Sequence, residues 1–351
     1  MYPLFFYPIY KERIWGGQKL ANKYSRKLEY EKVGESWEIA CHENGIGIIQ
    51  NGSLKGMSLK EAISKHGEEL LGSAVYNINY KKFPLLIKIL DAADSLSVQV
   101  HPDDNYANIY EDGELGKTEM WYIIDAKPSA KLVYGIEESC DKESFRQSIE
   151  KESLEACLHE LEVEAGDVLY IPAGLVHAIG EGILICEIQQ NSDTTYRVYD
   201  WNRVDDNGQK RQLHIDQAMD VIDFHSNPMG SLSGLKITQP GGQRILYIAT
   251  DYFAVDELKV SGMMNIVMDG KRFQTLTCIE GQGTIDYDDE RVSLTAGISS
   301  LLPASLSKID LSGNGTFIRA WIPDKQQIIQ RLEEQGYSKA QMSVIPGLEK
   351  I

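Results

Sequence analysis

Between Gly166 and His177 the chain reads Gly-Asp-Val-Leu-Tyr-Ile-Pro-Ala-Gly-Leu-Val-His, a segment that leaves the backbone little freedom. Gly166 opens a turn that a side chain would strain, Pro172 presets its own φ, and Gly174 completes a tight reversal. The apolar stretches on either side then form two strands, and the second aims His177 inward. The longer run LEVEAGDVLYIPAGLVHAIGEGILICEIQQ supplies three or four strands, with turns at Gly166, at Pro172 to Gly174 and at Gly180 to Gly182. Strands of this length and spacing build barrels or sandwiches.

The same grammar extends over most of the chain, so an all-β fold is expected, with short helical insertions and a C-terminal helix. Ser36 to Cys41 alternates as a strand, and Phe83 to Leu90 reads as a buried strand that carries Lys88. Ser58 and Glu61 form a capping-box pattern ahead of Leu59, Ala62, Ile63, Leu70 and Leu71, which predicts a helix over residues 58–71. A second is expected over 141–159, where Phe145, Ile149, Leu154 and Leu158 recur at helical spacing, and a third over 324–335, stopped by Gly336. At 351 residues, two domains are expected. They are read as 1–237 and a smaller 238–351, joined through the polar stretch Asp200 to Pro240 with its basic piece NGQKRQLH.

Composition narrows the partners. A formal net charge of −17 disfavours nucleic acid and anionic membrane, both of which demand surplus Lys and Arg on one face. No apolar run approaches the roughly 20 residues of a membrane span. MYPLFFYPIY lacks a basic leader and a small-residue cleavage site, so a cytoplasmic protein is expected. The five cysteines, Cys41, Cys140, Cys157, Cys186 and Cys278, form no C-x-x-C pair, and free thiols are expected rather than a disulfide framework or a thiolate zinc site.

Chemistry concentrates in two further strands. In LSVQVHP, Leu96, Val98 and Val100 alternate with Ser97, Gln99 and His101, which places three uncharged polar side chains on one face. In KTEMWYIID, Glu119, Trp121 and Ile123 share a face, with Lys117 on the same side. A carboxylate among such neighbours needs a cation or several donors, either a metal or a salt bridge to Lys88 or Lys117. His42, His66, His159, His214 and His225 fall outside these motifs and are read as surface or packing residues.

The pattern G-x5-P-x-G-x2-H over Gly166, Pro172, Gly174 and His177 resembles the second signature of the cupin superfamily, departing from it only at Glu181, where an Asn is customary. Gln99-x-His101-Pro102, Lys117-x-Glu119-Met120 and Pro172-x-Gly174-x-x-His177 together resemble type I mannose-6-phosphate isomerases. The likeness runs through Ile14-Trp15-Gly16-Gly17, Gly34 to Ile39 and Gln189 to Asp200, covers at least residues 10–203, and is nearest the short bacterial form. The resemblance implies two cupin-type jelly-roll β-barrels and one zinc ion per chain, with Gln99, His101, Glu119 and His177 as ligands. Gln99 has a second reading, as a donor that orients the substrate.

By the same resemblance, Arg197 is the catalytic position, and the substrate is a sugar phosphate isomerised by proton transfer between C2 and C1 through an enediol. Lys117 and Asp193 are candidates for moving the proton, beside a metal-held water. Ser97, Lys88 and Lys117 are candidates for holding the phosphate. One Glu against a divalent ion leaves a surplus positive charge, which suits a dianionic substrate even in an acidic chain, because distant charges are screened over about 8 Å. The rival readings are an iron-dependent cupin oxygenase and a non-catalytic sugar-binding cupin; a monomer or homodimer is expected. Near the C-terminus, Gly297, Pro303, Ser305 and Lys308 echo the second signature with its histidine replaced, as expected of a degenerate, metal-free second barrel.

Overall fold

The computed structural model describes residues 1–76, 82–204, 208–226 and 229–349. It is mostly β, and its contacts define two compact units. One comprises Tyr10–Ser36 and Lys88–Leu232; the other comprises Met1–Ile9, Trp37–Ile87 and Ser233–Ile351. The division falls between Leu232 and Ser233, and Met1–Ile9 and Trp37–Ile87 group with the C-terminal part.

Built mainly from residues of the first unit, a six-stranded sheet runs Val168–Ile171, Glu119–Ala126, Ile183–Gln190, Leu85–Ala92, Ile9–Gly17, Val33–Ile39. A five-stranded sheet runs Leu158–Glu162, Lys131–Ile136, His177–Ala178, Val98–Val100, Tyr196–Tyr199. Trp121, Ile123, Ile183 and Ile185 of the larger sheet share a core with Leu132 and Tyr134 of the smaller. The outer face of the smaller sheet (Val98, Val100, Val133, Tyr196, Val198) packs in a separate core with Phe145, Ala218 and Met219. The strands stay in separate sheets, and among the described residues no pairing closes them into a barrel.

The second unit is built on a ten-stranded sheet with the long strands Gln274–Tyr287 and Lys308–Trp321 at its centre. Its core is formed by residues such as Leu258, Leu276, Leu302, Leu311 and Phe317. The echo of the histidine signature takes the same strand–turn–strand form, Ser299–Leu302 then Lys308–Trp321, but Lys308 faces solvent and pairs with Asp310 at 3.0 Å.

The helix at Leu59–Leu71 carries the expected capping box, and Asp324 caps the helix Lys325–Glu334. Three expectations are corrected. The 141–159 helix ends early: Lys142–Glu150 is helical, Leu154–Cys157 is a short 3-10 turn, and Leu158–Glu162 is already a strand, because Leu158 pairs with Ile136. The supposed linker holds the helix Ile215–Val221, whose Ala218 and Met219 are core residues, and the strand Leu235–Gln239. Cys140 and Cys157 form a disulfide across the Lys142–Glu150 helix; the hairpin-like return that joins them is invisible in their 17-residue separation. Closing a loop of that length is worth about 3 kcal/mol. Cys157→Ser is therefore expected to lower unfolding free energy by about 2–4 kcal/mol in urea melts of oxidised protein; an unchanged midpoint would rule this out.

Candidate active site

The polar side chains of interest are delivered by strand alternation. On the larger sheet Ile123 and Trp121 face the shared core, and Glu119 continues that face; Ile183 and Ile185 are followed by Glu187, and Ala92 and Leu90 lead back to Lys88. On the smaller sheet Val98, Val100, Val176, Ala178, Tyr196 and Val198 face outward, so Ser97, Gln99, His101, His177 and Arg197 face inward. The interior is thus apolar along part of each strand and polar along the rest. Register brings the polar parts together: Gln99 lies opposite His177 and Arg197, and Glu119 opposite Gln189.

Local turns set the aim. Gly166 and Gly174 adopt φ of +98° and +87°, and a Cβ on Gly174 would also meet the Val221 carbonyl at 3.0 Å. Here the turn requires glycine, and the strand it starts holds His177 with no exposed surface.

His101, Glu119 and His177 form a buried cluster whose ligand atoms lie within 4.8 Å of one another. His101 Nδ1–H donates to the Thr194 carbonyl (2.8 Å) and His177 Nδ1–H to the Leu175 carbonyl (2.9 Å), so both Nε2 lone pairs turn toward Glu119. Burial, reinforced by Lys117, pushes the His101 imidazolium down to about 3, and burial lowers His177 too, so both rings are neutral near neutral pH. Burial alone would raise the Glu119 carboxyl, but Lys117 and His101 hold it well below the usual range. Two imidazole lone pairs fixed from behind by carbonyls, plus one carboxylate, are the donor set and outer hydrogen bonding of a metal site. The amide end of Gln99 lies 3.3 Å from His177 Nε2, at the rim of the cluster.

Charge supports the same fit. Around the cluster lie five buried ionic side chains, Glu35, Glu119, Glu187, Lys88 and Lys117, a formal excess of one negative charge. A divalent cation would turn that into an excess of one positive charge. Lys117 Nζ sits 2.8 Å from Glu119 Oε1 and 3.2 Å from His101 Nε2. Trp121 Nε1–H bridges Glu119 Oε2 and Glu187 Oε2, both at 3.0 Å.

A cavity of about 440 Å³ opens beside the cluster, with Gln99 and Lys117 in its wall. Ser97, Lys88, Asp193 and Arg197 also line it, so all nine residues singled out from the sequence lie in or next to one space. Their settings differ. Lys88 is buried, 3.2 Å from Glu187 and 3.8 Å from Glu35; burial pulls its ammonium down, but the two carboxylates outweigh that and hold it above the ordinary lysine value. Arg197 is half-buried, donating from Nε to Ser97 Oγ (3.1 Å) and from Nη1 to the Gln212 carbonyl (2.9 Å).

Sequence reading missed Glu187, Glu35, Arg13 and Arg211, which also line the cavity. Glu187 had a signal, a carboxylate in register with Ile183 and Ile185 on an apolar strand face. Arg211 sits in the basic stretch read as linker, where it and Arg203 grip Asp200. Arg13 binds Glu35 at 2.6 Å, a pairing across strands that no local pattern announces.

A mostly β cupin-fold protein with a buried His-Glu-His cluster beside a cation-lined cavity is thereby defined. The phosphomannose isomerase type I catalytic domain model matches residues 4–153, and the mannose-6-phosphate isomerase cupin domain model matches 244–322. A probable mannose-6-phosphate isomerase of Bacillus subtilis is 40% identical over 321 residues, covering 90% of this chain and 98% of the relative. The mannose-6-phosphate isomerase of Streptococcus mutans is 40% identical over 317 residues, covering 89% and 96%. The crystal structure of a mannose 6-phosphate isomerase from Bacillus subtilis superposes with a TM-score of 0.85 at 35% identity, covering 91% of this chain and 99% of that one. The chain belongs to the type I mannose-6-phosphate isomerase family and is an aldose–ketose isomerase. No helix among the described residues is long and apolar enough to cross a membrane.

Proposed function

We propose that this chain interconverts mannose 6-phosphate and fructose 6-phosphate, with one zinc ion held by His101, Glu119, His177 and the Gln99 amide oxygen. The observation that carries the reading is the convergence of two neutral Nε2 lone pairs and an ionised carboxylate beside a cavity edged by arginines. When bound, the ion supplies Lewis-acid polarisation of the sugar oxygens. The protein does the rest. Arg197, oriented by Ser97 and the Gln212 carbonyl, faces the cavity as a rigid donor for the oxyanion of the enediolate. Lys117 and Asp193 hold or move the proton between C2 and C1. Arg211, Arg13 and Lys117 supply positive charge and Ser97 a hydroxyl donor where the phosphate is received, while Lys88 keeps Glu187 and Glu35 in place. Burial first, then the Glu119 charge, raises the Glu187 carboxyl.

The test is a coupled assay with mannose 6-phosphate together with metal analysis of the purified protein. Fructose 6-phosphate formation with one zinc per chain is expected; no product, with iron bound, would overturn the reading. Lys117→Ala is expected to raise the Michaelis constant by about tenfold, the loss of one charge-assisted contact. An unchanged constant with a lower kcat would place its ammonium at proton transfer only.

A further inference from the structure

We propose that the second unit has a ligand site of its own, a small cavity in which Arg244 and Arg319 bind a phosphate group. Its construction parallels that of the first unit. Leu276, Phe317 and Leu258 face the core of the second unit, and on the same strand faces two residues further along stand Gln274, Arg319 and Asp256. Arg244 joins them from the neighbouring strand, two residues from the core residue Leu246. These faces therefore carry a polar belt between two apolar clusters, around a cavity of about 260 Å³ that Trp321 also lines.

The charges there do not balance locally. Asp256 is fully buried and accepts from Arg244 Nε and from Arg319 Nε (3.0 Å) and Nη2. One carboxylate thus faces two guanidiniums whose side chains are only 21% and 11% exposed. Arg319 Nη1 makes a long contact with Gln274 Oε1 (3.4 Å), and Nη1 and Nη2 of Arg244 meet no acceptor among the described residues. Both guanidiniums lie over the Trp321 ring, at 5.8 and 4.8 Å from its centroid. Elsewhere in the lining Arg272 faces two carboxylates, Asp269 (2.6 Å) and Asp324 (3.3 Å), and Arg331 is accompanied by Glu334, so the positive surplus belongs to the Arg244–Arg319 end.

Burial lowers the Arg244 pKa, as expected of a cation that has given up water without gaining a full counter-charge. Paired planar forks with free donors suit a tetrahedral oxyanion, which accepts several such bonds at once. The volume lies just below the roughly 300–1,000 Å³ of typical ligand sites, which suits inorganic phosphate or a small phosphate ester. A purely structural triad would need no free Nη donors facing an open space.

The experiment is a titration of the full, metal-loaded chain with inorganic phosphate, followed by tryptophan fluorescence, with sodium chloride at matched ionic strength as reference. A saturable change is expected in the wild type, absent in Trp321→Phe, and shifted at least about tenfold to weaker binding in Arg244→Gln. Turnover of mannose 6-phosphate should stay within about twofold in both variants. No Trp321-dependent change, an equal response to chloride, or an unshifted midpoint in Arg244→Gln would overturn the proposal. Should Arg244→Gln fail to fold, Arg244→Lys keeps a cation beside Asp256 but removes the fork. The same weakening is expected there, and an unshifted midpoint would again overturn the site. Glycerol phosphate in parallel separates the sources: tighter binding than phosphate assigns an ester, and weaker binding assigns the free ion.

Discussion

Replacing His177 by alanine is expected to leave a folded protein that no longer retains metal through dialysis and no longer isomerises mannose 6-phosphate. The imidazole is buried, held by the Leu175 carbonyl, and presents Nε2 to the cluster, so no other side chain can take its place. Losing an outer hydrogen-bond partner of a metal ligand costs roughly 10–100-fold in metal affinity, and losing the ligand itself should cost more. Elemental analysis after dialysis checks this. One equivalent of metal together with wild-type turnover would take His177 out of the site.

Arg197→Ala is expected to separate binding of the metal from chemistry. Its guanidinium touches Ser97 and the Gln212 carbonyl but none of His101, Glu119 or His177, so metal content should not change. Turnover should fall by about 100- to 1,000-fold, as for removal of a donor to a developing oxyanion. Arg197→Lys restores charge without the two-pronged anchoring and should recover only part of the rate. A kcat equal to wild type in the alanine variant would remove Arg197 from the mechanism.

Much of this site could be read from the sequence because strand geometry is so regular. Ser97, Gln99 and His101 share a face by period two, and Gly166, Pro172 and Gly174 dictate a turn whose shape does not depend on the rest of the chain. Side chains whose roles come from partners far along the chain were harder to see. Arg13 and Glu35 meet only when two strands lie side by side, and Glu187 shares the Trp121 indole with Glu119 from a neighbouring strand. Helix ends failed for a related reason. Leu154 and Leu158 continue the spacing begun by Phe145, but Leu158 is claimed by the Ile136 strand, so pairing across a sheet overrode the local pattern. The Cys140–Cys157 disulfide likewise follows from a chain reversal that no cysteine spacing encodes.

The His-Glu-His cluster draws its members from opposite walls of the fold, Glu119 from the six-stranded sheet and His177 from the five-stranded one. An ion seated among them would act as a clasp between two layers as well as a catalyst. Clasps of this kind couple occupancy to rigidity: a ligand present at 1,000 times its dissociation constant adds about 4 kcal/mol to the folded state. The supply of metal in the cell would then set how long each molecule survives, in addition to how fast it works.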